Sequence, residues 1–184
     1  MLIAVTAILA LGGLGTRSVA ASSRSLSLGS GRSGILNGVS ADSATDAWAV
    51  GSYINPTTGA TETLALHWNG TKWSKVASPN PGGTSSVAKS SILTGVTADS
   101  ATDAWAVVSY VVDPTTGATE TLALHWNGTK WSKVASPNPD NASLSSVSAD
   151  SATDAWAVGG YINPTTFAEE TLALHWNGTS WSRA

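Results

Sequence analysis

The sequence predicts an all-β fold made of three successive four-stranded antiparallel sheets. Three observations carry that prediction. The segment TLALHWNGTKWS at Thr63–Ser74 recurs at Thr121–Ser132 and, with one change, at Thr171–Ser182. Each copy joins an alternating apolar run, an Asn-Gly pair and a second tryptophan-bearing run, which is a strong hairpin signal. The tryptophans Trp48, Trp105 and Trp156 mark equivalent positions 57 and then 51 residues apart. A period near 50 matches the blades of β-propellers and excludes the shorter helical solenoids. The expected fold is therefore a β-propeller-type array of three four-stranded blades, an incomplete ring or a fragment, because closed rings have about four to eight blades.

Taken in order, Leu2–Gly15 is an apolar run followed by TRSVAASS, where Val19 and Ala21 fit the small-residue pattern of a secretory cleavage site. Residues 1–21 are read as a signal peptide, with a retained N-terminal anchor as the alternative, and residues 22–34 as a Ser/Gly linker. The repeats then fill residues 35–184, in blades at about 35–81, 92–139 and 144–184. In the first blade the expected strands are Leu36–Ala41, Ala47–Tyr53, Thr63–Trp68 and Lys72–Ala77. Pro79 and Pro81 cannot donate to a ladder and end the sheet.

Turn chemistry sets the boundaries. Asn69-Gly70 suits a two-residue type I′ turn, which places Trp68 opposite Thr71, His67 opposite Lys72 and Leu66 opposite Trp73. Alternation then puts Leu64, Leu66, Trp68 and Trp73 on one face, with Ala65 and His67 on the other. In the second strand Trp48 and Val50 point one way and Ala47, Ala49 and Gly51 the other. The expectation is one bulky face and one small face, both buried between blades. The nine tryptophans are the main core material, each burying about 150–250 Å² and gaining roughly 4–6 kcal/mol gross.

Composition narrows the function classes. Nine Lys and Arg residues, dispersed, within a net charge of −3 offer no footprint for nucleic acid or for an anionic membrane surface. The absence of cysteine removes disulfides, thiolate metal sites and cysteine nucleophiles. The recurring reactive groups are Asp46, Glu62 and His67 with their counterparts. Asp46, Asp103 and Asp154 lie in Ser-Ala-Thr-Asp turns, where a carboxylate commonly accepts main-chain N–H bonds. Glu62, Glu120 and Glu170 are expected to face solvent near the start of the third strands. His67, His125 and His175 stand a blade apart and do not converge on one metal, so neither metal nor cofactor is implied.

No G-x-S-x-G elbow and no phosphate loop occurs. The arginines Arg17, Arg24, Arg32 and Arg183 do not supply the cluster a sialidase-like site needs. Asn69, Asn127, Asn141 and Asn177 sit in N-x-S/T sequons, read as turn asparagines rather than glycan acceptors.

The order L-x-x-V-S-A, D-A-W-A-V-G, T-L-A-L-H-W-N-G and K-W-S resembles bacterial secreted β-propeller repeats of the Asp-box (BNR) type, including photosystem-assembly-factor-like and sialidase-like propellers. The resemblance runs from Ile35 to Ala184. The box is degenerate: His67-Trp68-Asn69-Gly70-Thr71-Lys72-Trp73 is one residue short and carries Asn69 where the Asp would fall, so its closing tryptophan alone carries over. The resemblance implies that Leu36–Ala41 lies nearest the ring axis, and it implies no catalytic residue.

The expected function is a non-enzymatic, secreted or cell-surface binding or adhesion scaffold for an extracellular glycan or protein. Candidate ligand-binding residues are Trp68, Trp126 and Trp176, beside three equivalent turn tips, with His67, His125 and His175. A structural fragment of a larger propeller is the first alternative, and a propeller-type glycan hydrolase the second. A homo-oligomer that completes the ring is a further expectation.

Overall fold

The computed structural model describes residues 33–184. The segment read as a signal peptide and nearly all of the segment read as a linker lie outside the described residues. Twelve strands within them form three separate antiparallel sheets, each in sequential order. Blade one is β1 (Gly34–Ser43), β2 (Asp46–Ile54), β3 (Thr61–Trp68) and β4 (Trp73–Val76). Blade two is β5 (Ser91–Ser100), β6 (Asp103–Asp113), β7 (Ala118–Trp126) and β8 (Trp131–Val134). Blade three is β9 (Ser143–Ser151), β10 (Asp154–Ile162), β11 (Glu169–Trp176) and β12 (Trp181–Arg183). The fold is thus the expected propeller-type array of three blades.

The hairpin register differs from the sequence expectation. Trp68 stands opposite Trp73, His67 opposite Ser74 and Leu66 opposite Lys75. The loop therefore has four residues, Asn69–Lys72. Asn69 is the reason: its Oδ1 accepts the main-chain N–H groups of Thr71 at 3.1 Å and Lys72 at 3.0 Å. That side chain closes the turn, so Asn69 does not need a left-handed conformation and Gly70 alone takes one, at φ 86°. Gly70 also lies against the β1–β2 turn, where an added Cβ would come within 2.9 Å of Thr45. A shift of two residues leaves every side chain on its predicted face.

The distribution of bulk is also different. Trp48 pairs with His67, Val50 with Ala65, Ala49 with Leu66 and Gly51 with Leu64. Val50, Leu66 and Leu64 thus each oppose an alanine or glycine, while Trp48 stacks on the His67 ring. The back face of each blade presents the β2-type tryptophan. The front face presents the two leucines and two tryptophans of the hairpin.

Blades stack back to front. Trp48 and Val50 pack on Leu93, Val96, Leu124, Trp126 and Trp131 of blade two. The Trp48 ring centroid lies 4.9 Å from those of both Trp126 and Trp131. The next junction repeats the contact, with Trp105 at 4.8 Å from Trp176 and 5.3 Å from Trp181. The first strands converge on the inner side, as expected. A Cβ on Gly38 would lie 3.3 Å from the Cα of Gly95, and one on Gly95 would lie 3.0 Å from the Cα of Ser146. The fourth strands pair with their own third strands at the opposite edge.

Two faces are left over. The back of blade three has no blade behind it among the described residues, so Trp156 is 45% and Val158 48% exposed, where Trp48 and Val50 are both 0%. The front of blade one is open only in part: Val39 is 49% exposed where its counterparts Val96 and Val147 are buried, and Trp68 and Trp73 are half-buried, whereas Ala49, Leu64 and Leu66 on the same face are buried.

This asymmetry predicts unequal costs for one substitution at equivalent sites. Trp48→Ala should lower the unfolding free energy by about 3–5 kcal/mol. Trp156→Ala should cost less than half as much, since much of its indole is already in water. Chemical denaturation followed by circular dichroism measures both.

Candidate functional site

Asp46 opens β2 and His67 lies near the end of β3, and the register between those strands brings them together. His67 Nε2 is 2.5 Å from Asp46 Oδ1. His175 and Asp154 stand at 2.8 Å, and His125 pairs with Asp103 in the same way. A carboxylate on Nε2 makes that nitrogen the donor and fixes the ring. The ring in turn stacks on the tryptophan opposite: Trp48 and His67 centroids are 4.5 Å apart at 28°, Trp156 and His175 4.4 Å at 28°. The aspartates therefore do not serve their own turns, as the sequence suggested. Ser43 does, its Oγ accepting the Thr45 N–H at 3.3 Å, and Ser100 and Ser151 repeat this.

The glutamates also depart from expectation. Glu62 is buried, accepting hydrogen bonds from the Tyr53 hydroxyl and from Asn55 Nδ2 at 2.7 Å. Glu170 is held likewise by Tyr161 and Asn163, and these bonds, Tyr161 first, keep its carboxyl below the usual range. Glu120 accepts from the Tyr110 hydroxyl at 2.5 Å. Blade two has Asp113 where the other blades have asparagine, and an aspartate cannot donate. Asp113 instead accepts the Thr115 N–H at 2.8 Å and the Thr116 hydroxyl at 2.9 Å, which lowers its own pKa. Tyr110 responds to burial first and then to its carboxylate partner, and its phenol is pushed up from 10.0 to about 12.

The three tip tryptophans share one bond: Trp68, Trp126 and Trp176 donate Nε1–H to the carbonyls of Ala44, Ala101 and Ala152 at 3.1, 3.2 and 3.1 Å. They are not equivalent in access. Trp126 is covered by Trp48 and Trp176 abuts Trp105, whereas Trp68 is half-buried on the front face of blade one beside Trp73, 5.8 Å away. Within a blade the histidine and its neighbouring tryptophan point to opposite faces. Across a junction they meet, and His67 lies 6.4 Å from Trp126. The six candidate residues thus form no common surface. His67 and Trp126 line the first junction, and His175 sits beside exposed Trp156.

Sequence reasoning missed two further features. Asn80 and Asn138 of the SPNP segments act as ladder partners, their Oδ1 atoms accepting the N–H of Thr63 at 2.7 Å and of Thr121 at 2.5 Å. The second feature is an open cleft of about 390 Å³ at the corner between blades two and three, lined by Val112, Thr119, Glu120, Asp140, Ile162 and Phe167 among others. Phe167 holds φ 57° and is 81% exposed, at the position where the other blades carry Gly59 and Gly117. The replacement of that glycine was visible in the sequence; the cleft was not.

No family model matches the chain, and no curated protein matches it in sequence. Solved structures match it in fold. One, titled "YCF48 bound to D1 peptide", aligns at a TM-score of 0.51 and 13% identity, over 83% of this chain and 43% of the other. The chain spans less than half the length of that neighbour. At this identity the likeness establishes the propeller-type fold.

The Tyr110–Glu120 pair yields a pH prediction. A raised phenol pKa means the folded state binds the proton more tightly, so this stabilisation is complete below pH 10.0 and is lost as pH rises through about 12. In a Tyr53→Phe/Tyr161→Phe background, tyrosinate absorbance should titrate near that upper value. Glu120→Gln should lower the midpoint without restoring the ordinary one, because burial is the largest cause.

Proposed function

We propose that this chain is a non-enzymatic binding or adhesion scaffold acting outside the cell or on its surface. The observation that supports this reading most is the apolar surface left exposed at the two ends of the array. The recurring polar groups are engaged in packing: each histidine with an aspartate, each Tyr–Glu pair within its own blade. Among the described residues, no group of three or more His, Asp or Glu side chains is placed to hold a metal ion. The apolar side chains exposed at the ends are Trp156 and Val158 at one and Val39 at the other, beside the half-buried Trp68–Trp73 pair.

Those ends are the two halves of the junction that the chain builds twice internally. A second copy placed head to tail would bury Trp156 between Trp68 and Trp73 as Trp48 is buried between Trp126 and Trp131. Such a contact is heterologous, and it extends or closes the array according to the rotation per blade. The tryptophans at these ends also suit the face of a sugar ring, which supports a glycan as ligand. The structural neighbour's title names a bound peptide, which supports a protein ligand beside it.

Sedimentation velocity tests the self-contact. The parent should sediment as a dimer or larger at micromolar concentration and Trp156→Glu as a monomer with an unchanged circular dichroism spectrum; a monomeric parent overturns it. On a glycan array, binding that vanishes in Trp68→Ala while the fold survives supports the sugar platform. Silence across the array leaves protein partners as the reading.

A further inference from the structure

The two blade junctions differ at one corner. After blade one, the chain runs from Pro81 to Leu93 and loops along the beginning of β3. There it behaves as a short added strand. Thr61 and Ser90 form a parallel bridge, the Thr61 N–H donates to the Lys89 carbonyl at 3.1 Å, and the Val111 N–H donates to the Ser90 carbonyl at 3.1 Å. Beneath this segment Ala60 and Glu62 are buried.

After blade two, the chain passes directly from Pro139 to Leu144. Half of the clamp survives: the Ile162 N–H donates to the Asp140 carbonyl at 3.1 Å, matching Val111 and Ser90. The other half is reduced to a side-chain bond, the Thr119 hydroxyl donating to the Ala142 carbonyl at 3.2 Å. Thr119 is the counterpart of Thr61, and the pairs Val111 with Thr119 and Ile54 with Thr61 are equivalent in register. The Thr119 N–H therefore points away from β6 toward the cleft. No carbonyl of the shorter connection meets it among the described residues. Ala118 and Glu120 are correspondingly half-exposed.

The walls of the cleft have a definite chemistry. Val112, Ile162 and Phe167 make an apolar side. Glu120 and Asp140 make an acidic one, and neither forms an ion pair among the described residues. Phe167 is held in a left-handed conformation that glycine adopts without strain, and its ring remains in solvent. An exposed aromatic kept in a strained backbone at a cleft mouth has no packing role that accounts for it.

We propose that this corner binds an extended peptide segment of another molecule. The segment adds as a short parallel strand to Thr119, places an aliphatic side chain against Phe167 and Ile162, and sets a lysine or arginine against Glu120 and Asp140. Main-chain bonds supply affinity in such strand addition and side-chain pockets supply specificity. The first corner shows the type of occupant within the molecule itself, because its segment reads Val87-Ala88-Lys89-Ser90.

The test uses the full chain, labelled with nitrogen-15, and a synthetic peptide of the sequence of residues 84–91. Amide shifts should be confined to the neighbourhood of Thr119, Glu120, Asp140 and Phe167, with a dissociation constant on the order of 1 mM. Thr119→Pro removes the N–H at a strand start that tolerates proline, and should weaken binding by about tenfold. Phe167→Gly should leave the fold intact, since two blades already carry glycine there, and should weaken binding by roughly threefold or more. Replacing the peptide's lysine with glutamate should abolish it. Trp156→Glu should bind as the parent does, which separates this site from the end faces. Absence of shifts at millimolar peptide, shifts centred on another surface, or unaltered binding in Phe167→Gly together with a folded Thr119→Pro would overturn the proposal.

Discussion

Trp48 lies with its whole indole between two sheets, touching a histidine of its own blade and two tryptophans of the next. A blade of this size has two apolar faces and cannot bury either alone, so its stability depends on what it stacks against. The junction answers that need with shape as much as with area. On its own sheet Trp48 stacks over the His67 ring beside Ala65 of β3, and the facing hairpin supplies an aromatic wall. Trp105 repeats the arrangement at the second junction. Where no following blade is described, the same side chain, Trp156, stands half in water.

Polar groups near these junctions are satisfied in part: the Oδ2 atoms of Asp46 and Asp103 and the Nε1–H groups of Trp48, Trp105, Trp131 and Trp181 are buried without a partner among the described residues, while other groups are paired. Asp46 and Asp103 are nearly buried, and each is bonded to a histidine that is itself stacked on a tryptophan. Glu62 is covered by the loop after blade one and is held by a tyrosine and an asparagine. A buried carboxylate without such partners would be strongly destabilising. The recurring aspartates, histidines and glutamates are thus each held by a partner within their own blade.

Near-identical repeats do not have identical surroundings. Trp68, Trp126 and Trp176 make the same hydrogen bond and differ in what covers them. Gly59, Gly117 and Phe167 occupy one turn position in the left-handed region, yet one lies beside Val87, one has open space above it and one projects a phenyl ring into solvent. The connections between blades, which vary most in length, cause much of this difference. A long connection covers one corner, and a short one leaves its equivalent open.

Local sequence determined much of the architecture. Alternation, Asn-Gly turns and Pro-terminated strands specified three four-stranded meanders to within a few residues, because each signal acts over neighbouring residues and strand period is insensitive to context. The face of each hairpin residue was legible for the same reason, even though the turn length was not. Asn69 closes a four-residue loop with its side chain and Gly70 fits against Thr45, and the second of those contacts is tertiary. The pairing of Asp46 with His67, the burial of Glu62 and the opposition of large and small side chains all depend on registers between β2 and β3 and on covering segments distant in the chain. The sequence by itself therefore determined the blades. Stacking and connection length decided which tryptophans are core, which are surface and where a cleft opens, because burial belongs to the neighbours of a side chain and not to its place in a repeat.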